Sequence, residues 1–132
     1  MKTFSLFLLL NAGFLCFSAA VEKKSEKKFY DPVIKTVEGW TIEYDPQLLS
    51  EDNKELGEEA TKALANHLQR IKYILSKEKV VVLQKLPIRI DLQHELGNMQ
   101  YHPGKRWLIN NGYDPRLEKR VHIPRAHSPL NR

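Results

Sequence analysis

The sequence predicts an α+β domain with an N-terminal β-hairpin, one long amphipathic helix packed on a small sheet, then irregular loops with short helices. Three patterns carry that expectation. Residues 33–44 alternate apolar and polar side chains on either side of Glu38-Gly39. Residues 51–75 repeat apolar side chains every three and four positions, and LPIRIDLQ at 86–93 alternates again. A chain of 132 residues is long enough for one small domain and excludes a multidomain enzyme. Its 42% hydrophobic content excludes a disordered chain.

The first twenty residues stand outside that domain. Lys2 is followed by an apolar run from Phe4 to Phe17 that closes on Ser18, Ala19 and Ala20, the pattern of a secretory signal peptide. The run is short for a membrane span. Cys16, the only cysteine, is preceded by Leu15 rather than by a small residue, which argues for cleavage and release over lipid anchoring. Removing residues 1–20 takes away Lys2 and no acid, so the net charge falls from +5 to +4 and no disulfide remains possible. The expected location is secreted or periplasmic, with no membrane contact after cleavage. Residues 21–31, opening on EKKSEKK, read as a charged flexible leader, and 32–132 as the single domain.

Within the domain, VIKTV (33–37) and WTIEY (40–44) form the predicted hairpin, because Gly39 tolerates the positive φ of a two-residue turn. That loop pairs Val37 with Trp40 and Val33 with Tyr44. Val33, Val37, Trp40, Ile42 and Tyr44 then share one face, with Thr36, Thr41 and Glu43 on the other, as in a sheet covered on one side. Trp40 is a core anchor. Asp45-Pro46 ends the strand, and the helix is expected from about Glu51 to Leu75, capped by Ser50. Its stripe comprises Leu56, Ala60, Ala63, Leu64, His67, Leu68, Ile71, Ile74 and Leu75. Acids crowd its first turns and Arg70, Lys72 and Lys77 its end, in agreement with the macrodipole. His67 is expected to be packed or hydrogen-bonded.

Beyond the helix, VVVL (80–83) is ambiguous between a strand and a helical turn. Ile88, Ile90 and Leu92 alternate with Arg89, Asp91 and Gln93 in a half-buried strand that starts near Pro87. An irregular stretch follows, then a short helix over Arg106–Asn110 closed by Gly112, a turn begun by Asp114-Pro115, and a strand at VHIP (121–124).

Chemistry is sparse. The lysines cluster at 23–28 and the other basic residues alternate with acids, with no aromatic interleaving, so no nucleic-acid partner is expected. His94-Glu95-Leu96-Gly97 begins like a zinc-binding H-E-x-x-H, but the fifth position is Asn98 and the segment does not read as a helix. His94, His102, His122 and His127 follow no metal-ligand spacing and are expected to be surface or supporting histidines; neither a metal nor a cofactor is expected. Ser128 beside His127 lacks a nucleophile elbow. Residue patterns alone do not mark an enzyme.

Taken together, VEGWTIEYDPQLL (37–49), ALANHLQRIKYIL (63–75), LQKLPIRIDL (83–92), GNMQYHPGKRWLINNGYDP (97–115) and VHIPRA (121–126) carry a resemblance. They are similar to the front half of a family of bacterial secreted zinc metallopeptidases of the zincin type, whose H-E-x-x-H helix lies just beyond the region matching Arg125-Ala126-His127. No H-E-x-x-H occurs in the 132 residues. The resemblance therefore implies an incomplete zincin-like domain, truncated before that helix, without the zinc ligands and without peptidase activity. It also implies that residues 98–102 and 121–124 lie beside a cleft whose edge strand can hold an extended peptide. Gln100, Tyr101, His102, Trp107 and His122 are the candidate cleft-lining or peptide-binding residues, and a peptide or protein is the expected partner. A missing helix implies an orphaned apolar surface, for which Ile34, Val80, Val82, Leu108 and Leu130 are candidates.

Overall fold

Glu38 and Gly39 both take positive φ, 53° and 91°, and close a tight hairpin between β1 (Val33–Val37) and β2 (Trp40–Tyr44). The register is the expected one, with Val37 opposite Trp40 and Val33 opposite Tyr44. A computed structural model describes residues 29–130. The signal peptide expected at 1–20 and the leader over 21–28 lie outside the described residues. The end of that leader is placed: Arg116 donates to the Tyr30 carbonyl at 2.6 Å and to Asp31 Oδ1 at 2.8 Å.

After β2 the chain makes two 3₁₀ turns, Pro46–Leu49 and Glu51–Asn53, before α1 (Lys54–Ile74). The helix thus begins three residues later than the periodicity suggests. Ser50 does not cap it; its hydroxyl donates to the Gln47 carbonyl at 2.7 Å, while the Asp45 carboxylate caps the preceding turn by accepting from Gln47 N–H at 2.9 Å. The reason is local, because Asp45-Pro46 opens a turn whose Gln47 carbonyl captures the serine. Gly57, Ala60, Leu64 and Leu68 are the buried stripe of α1, flanked by half-buried Leu56, Ile71 and Leu75. Ile74 and His67 fall outside it and are exposed, although His67 Nε2 lies 3.4 Å from the Pro129 carbonyl. VVVL resolves as helix, the end of α2 (Lys77–Leu83), with Val80 facing inward.

The sheet is completed by β3 (Ile88–Ile90), β4 (Gln100–Tyr101) and β5 (Val121–Ile123), in the spatial order β1-β2-β3-β5-β4. Strands β2, β3 and β5 run parallel, and each outer strand is antiparallel to its neighbour. The short helix α3 (Lys105–Asn110) and a 3₁₀ turn at Pro115–Leu117 connect β4 to β5, and a last 3₁₀ turn at Ser128–Leu130 lies against α1. The fold is α+β, with one long helix across a five-stranded mixed sheet. Among the described residues, no helix is long and apolar enough to cross a membrane.

One face of the sheet carries Trp40, Ile42, Tyr44, Ile88, Ile90 and Ile123, which pack under Leu64 and Leu68 of α1. The other face is open at the hairpin, where Thr36 and Thr41 are exposed as alternation predicts, but it is covered from Glu43 across β3 and β5, contrary to a sheet exposed along one whole side. Glu43, Arg89 and His122, in register across β2, β3 and β5, are 4%, 2% and 0% exposed. Of the three strands only β3 has parallel neighbours on both sides, the position in a sheet that is ordinarily covered on both faces. Leu108 and Val80, two of the candidates for an orphaned surface, are in fact buried, and Leu130 is half-buried; Ile34 and Val82 are exposed.

Candidate functional site

The second face of the sheet gathers nearly all the buried charge. At its centre Arg89 donates through Nε to Glu43 Oε2 at 2.8 Å and pairs through Nη1 with Asp114 Oδ2 at 3.3 Å. Arg120 Nε holds the other Glu43 oxygen at 2.8 Å, and Arg116 pairs with Asp114 at 2.9 Å. Burial disfavours the Asp114 carboxylate, but hydrogen bonds from Arg116 and the charges of Arg116 and Arg89 outweigh it and hold the carboxyl below its usual range. Every buried cation here has an acid, which is the condition for such a network to persist in a low dielectric.

Beside this network lies a cluster of histidines. The pairing of β3 with β5 continues past Ile90, because Asp91 N–H donates to the Ile123 carbonyl, and this sets the Asp91 carboxylate next to His122. His122 Nε2 is 2.8 Å from Asp91 Oδ2, and the Tyr30 hydroxyl donates to Asp91 Oδ1. Burial raises the Asp91 carboxyl, yet the His122 and Tyr30 hydrogen bonds and the nearby His122 and His94 rings bring it below the ordinary carboxylate range. Burial and the Asp91 hydrogen bond push the Tyr30 phenol up, so it remains a donor. On the far side of His122, Nδ1 lies 3.4 Å from His102 Nε2. Burial, reinforced by the charges of His122 and His94, lowers the pKa of His102 and favours its neutral ring.

His94 reaches the same spot from the irregular segment after β3, its ring edge-on to His122 at 4.8 Å between centroids and tilted against Tyr113 at 5.4 Å. The segment is not helical, so His94 and Glu95 do not present the face that an H-E-x-x-H pair requires. His94 Nδ1 instead accepts from Leu96 N–H at 3.1 Å. One ligand atom from each of Asp91, His94 and His122 lies within 4.8 Å of the others. Spacing could not show this set, since Asp91 reads as the outward residue of a strand and the two histidines are 28 positions apart. The four histidines do not act as one group either, because His127 is exposed near the C-terminal turn.

The five candidate cleft residues do come together around β4. Gln100 pairs with His122 and Tyr101 with Val121. His102 N–H donates to the Arg120 carbonyl and its carbonyl accepts from Lys119 N–H, which Lys119 can present because its φ is 56°. In an antiparallel ladder alternate residues point their backbone groups to opposite sides, so the Tyr101 N–H and C=O face the outer edge of the sheet. Side chains sort differently. Tyr101 and Trp107 are 46% and 49% exposed, whereas His102 and His122 are buried behind them, with the His102 ring stacked on Trp107 at 6.0 Å. On the helix side of the same edge, exposed Met99 borders an apolar cavity of about 580 Å³ lined by Trp40, Leu64, Leu68, Ile71 and Pro129.

Fold and site together define a small α+β protein with an open antiparallel edge strand backed by a buried Asp-His cluster. Comparison with protein-family models, with curated proteins and with solved structures found no match.

Proposed function

We propose that this chain is a secreted, non-catalytic protein that resembles the front half of a zincin-type zinc metallopeptidase domain and binds extended peptide segments along β4. The observation that carries the reading is the outer edge of Gln100–Tyr101. The strand is last in the sheet order, its inner side is occupied by β5, and the Tyr101 backbone groups face away from the sheet. An extended peptide could add there as a further strand, gaining main-chain hydrogen bonds from the edge and specificity from alternate side chains. One set of those side chains would lie towards Met99 and the apolar cavity, the other towards Trp107. The expected ligand is therefore an extended segment with apolar residues at alternate positions.

Support for export comes from the signal-like residues 1–20, and for a non-catalytic role from the absence of H-E-x-x-H in the sequence. A random peptide library panned on the full chain, with affinities of the enriched peptides then measured by fluorescence anisotropy, tests the reading. Tyr101→Pro removes the one outward N–H while leaving the inward donors of His102 and Gln100 in place. Binding should fall at least about tenfold in this variant with the circular dichroism spectrum retained. Equal affinity in the variant, or no enriched peptide, would overturn the proposal.

A further inference from the structure

We propose that Asp91, His94 and His122 bind one divalent transition-metal ion, with zinc as its working probe. Asp91 and His94 lie three residues apart in the segment that directly follows β3, His122 lies in the middle of β5, and the three side chains converge behind the edge strand. Two imidazoles and a carboxylate form the mixed nitrogen and oxygen set that open zinc sites use, leaving a fourth position for water or an incoming ligand. The geometry is close to what an ion requires. Zinc bonds of about 2.0–2.1 Å in a tetrahedral arrangement place neighbouring ligand atoms roughly 3.4 Å apart. The Asp91–His122 separation is 2.8 Å and the whole set lies within 4.8 Å, so closure asks for a small opening of one pair and an approach by the third.

The third ligand is the one not fixed by a strand. His94 sits in an irregular segment and is only half-buried, while Asp91 and His122 are fixed by the sheet at 3% and 0% exposure. Its Nδ1 accepts from Leu96 N–H, so ligation exchanges that amide for the metal or turns the ring to present Nε2. The partners around the set match the supporting shell of a metal site. The Tyr30 hydroxyl orients Asp91 through the oxygen that His122 does not use. His102 Nε2 can accept a hydrogen bond from His122 Nδ1–H, the tautomer in which the His122 Nε2 lone pair is directed at the site; the ion then takes the place of the proton between Nε2 and Asp91, which is released to solvent.

Metal binding does not depend on the peptide-binding reading, and either can fail alone: the first is read by zinc stoichiometry, the second by peptide affinity. The test is calorimetric titration of zinc into metal-free full-length chain, paralleled by cobalt titration followed by visible absorption. One equivalent of zinc, with intense cobalt bands of a four-coordinate site, is the expected result. His94→Gln, at a half-buried position outside the strands, should weaken zinc at least tenfold with an unchanged circular dichroism spectrum, and His127→Gln should leave affinity as it was. Asp91→Asn should weaken it likewise, and if that buried variant does not fold, His94→Gln alone decides. Absence of stoichiometric zinc, or wild-type affinity in His94→Gln, would overturn the assignment.

Discussion

Replacing Arg89 by Met keeps much of the side-chain volume of the second sheet face and removes the charge at its centre. In the native protein its guanidinium holds Glu43 through contacts of 2.8 and 2.7 Å and Asp114 at 3.3 Å, with the three side chains 3%, 6% and 8% exposed. Water cannot take over these contacts without displacing the Tyr30 ring, which lies 5.5 Å from the guanidinium. Glu43 would keep Arg120, and Asp114 would keep Arg116, so neither acid is fully orphaned. Breaking one partner of a buried pair typically costs about 3–5 kcal/mol, and the retained arginines place Arg89→Met near the lower end, about 3 kcal/mol. With a urea slope of about 1 kcal/mol/M for a domain of this size, the unfolding midpoint should fall by roughly 3 M. Urea denaturation followed by tryptophan fluorescence measures it, and Trp40 in the core supplies the signal. Combining Arg89→Met with Glu43→Leu should cost less than the two single losses added, because the second change removes the acid that the first left short of a partner. A loss below about 1 kcal/mol for Arg89→Met, or strict additivity in the double variant, would refute the argument that this layer is held by mutual charge compensation.

Three further outcomes are expected. Gly57→Ala should lower the melting temperature, although alanine gains about 1 kcal/mol over glycine in helix propensity, because its Cβ would stand 2.4 Å from the Leu48 carbonyl oxygen and force the turn away from α1; a raised melting temperature would contradict this contact. Leu64→Ala, in the buried stripe, should cost about 2–5 kcal/mol in chemical denaturation, whereas Ile74→Ala on the exposed side of the same helix should stay within about 0.5 kcal/mol. The folded-state pKa of Asp114 lies below its unfolded value, so its share of stability is full above the unfolded pKa near 3.9 and drains away as pH falls through the folded one; Asp114→Asn should flatten the acid limb of the stability profile, and an unchanged slope below about pH 4 would exclude that role.

The hairpin and α1 were legible in the sequence for physical reasons that need no tertiary information. Glu38-Gly39 permits the positive φ values that a tight turn requires, and the period-two residues around it fix the register once that turn is set. Ala60, Leu64 and Leu68 recur at the helical period, and one side of a helix can face only one sheet. The start of α1 was less legible, because Ser50 satisfied a capping pattern that Asp45-Pro46 pre-empted by drawing its hydroxyl into the preceding turn.

What the sequence by itself determined is the α+β class, the hairpin register, the buried side of the long helix and the approximate positions of β3, α3 and β5, since all of these follow from local periodicity and turn chemistry. What only the tertiary structure decided is the second face of the sheet. Alternation assigned Glu43, Arg89 and Asp91 to solvent, but β3 lies between two parallel neighbours and is covered on both sides, so those charges are buried and compensated by residues as far away as Asp114 and Arg120. The same placement brings His122 to Asp91 and His94, because the pairing of β3 with β5 joins segments that are distant in sequence and so obeys no fixed spacing along the chain.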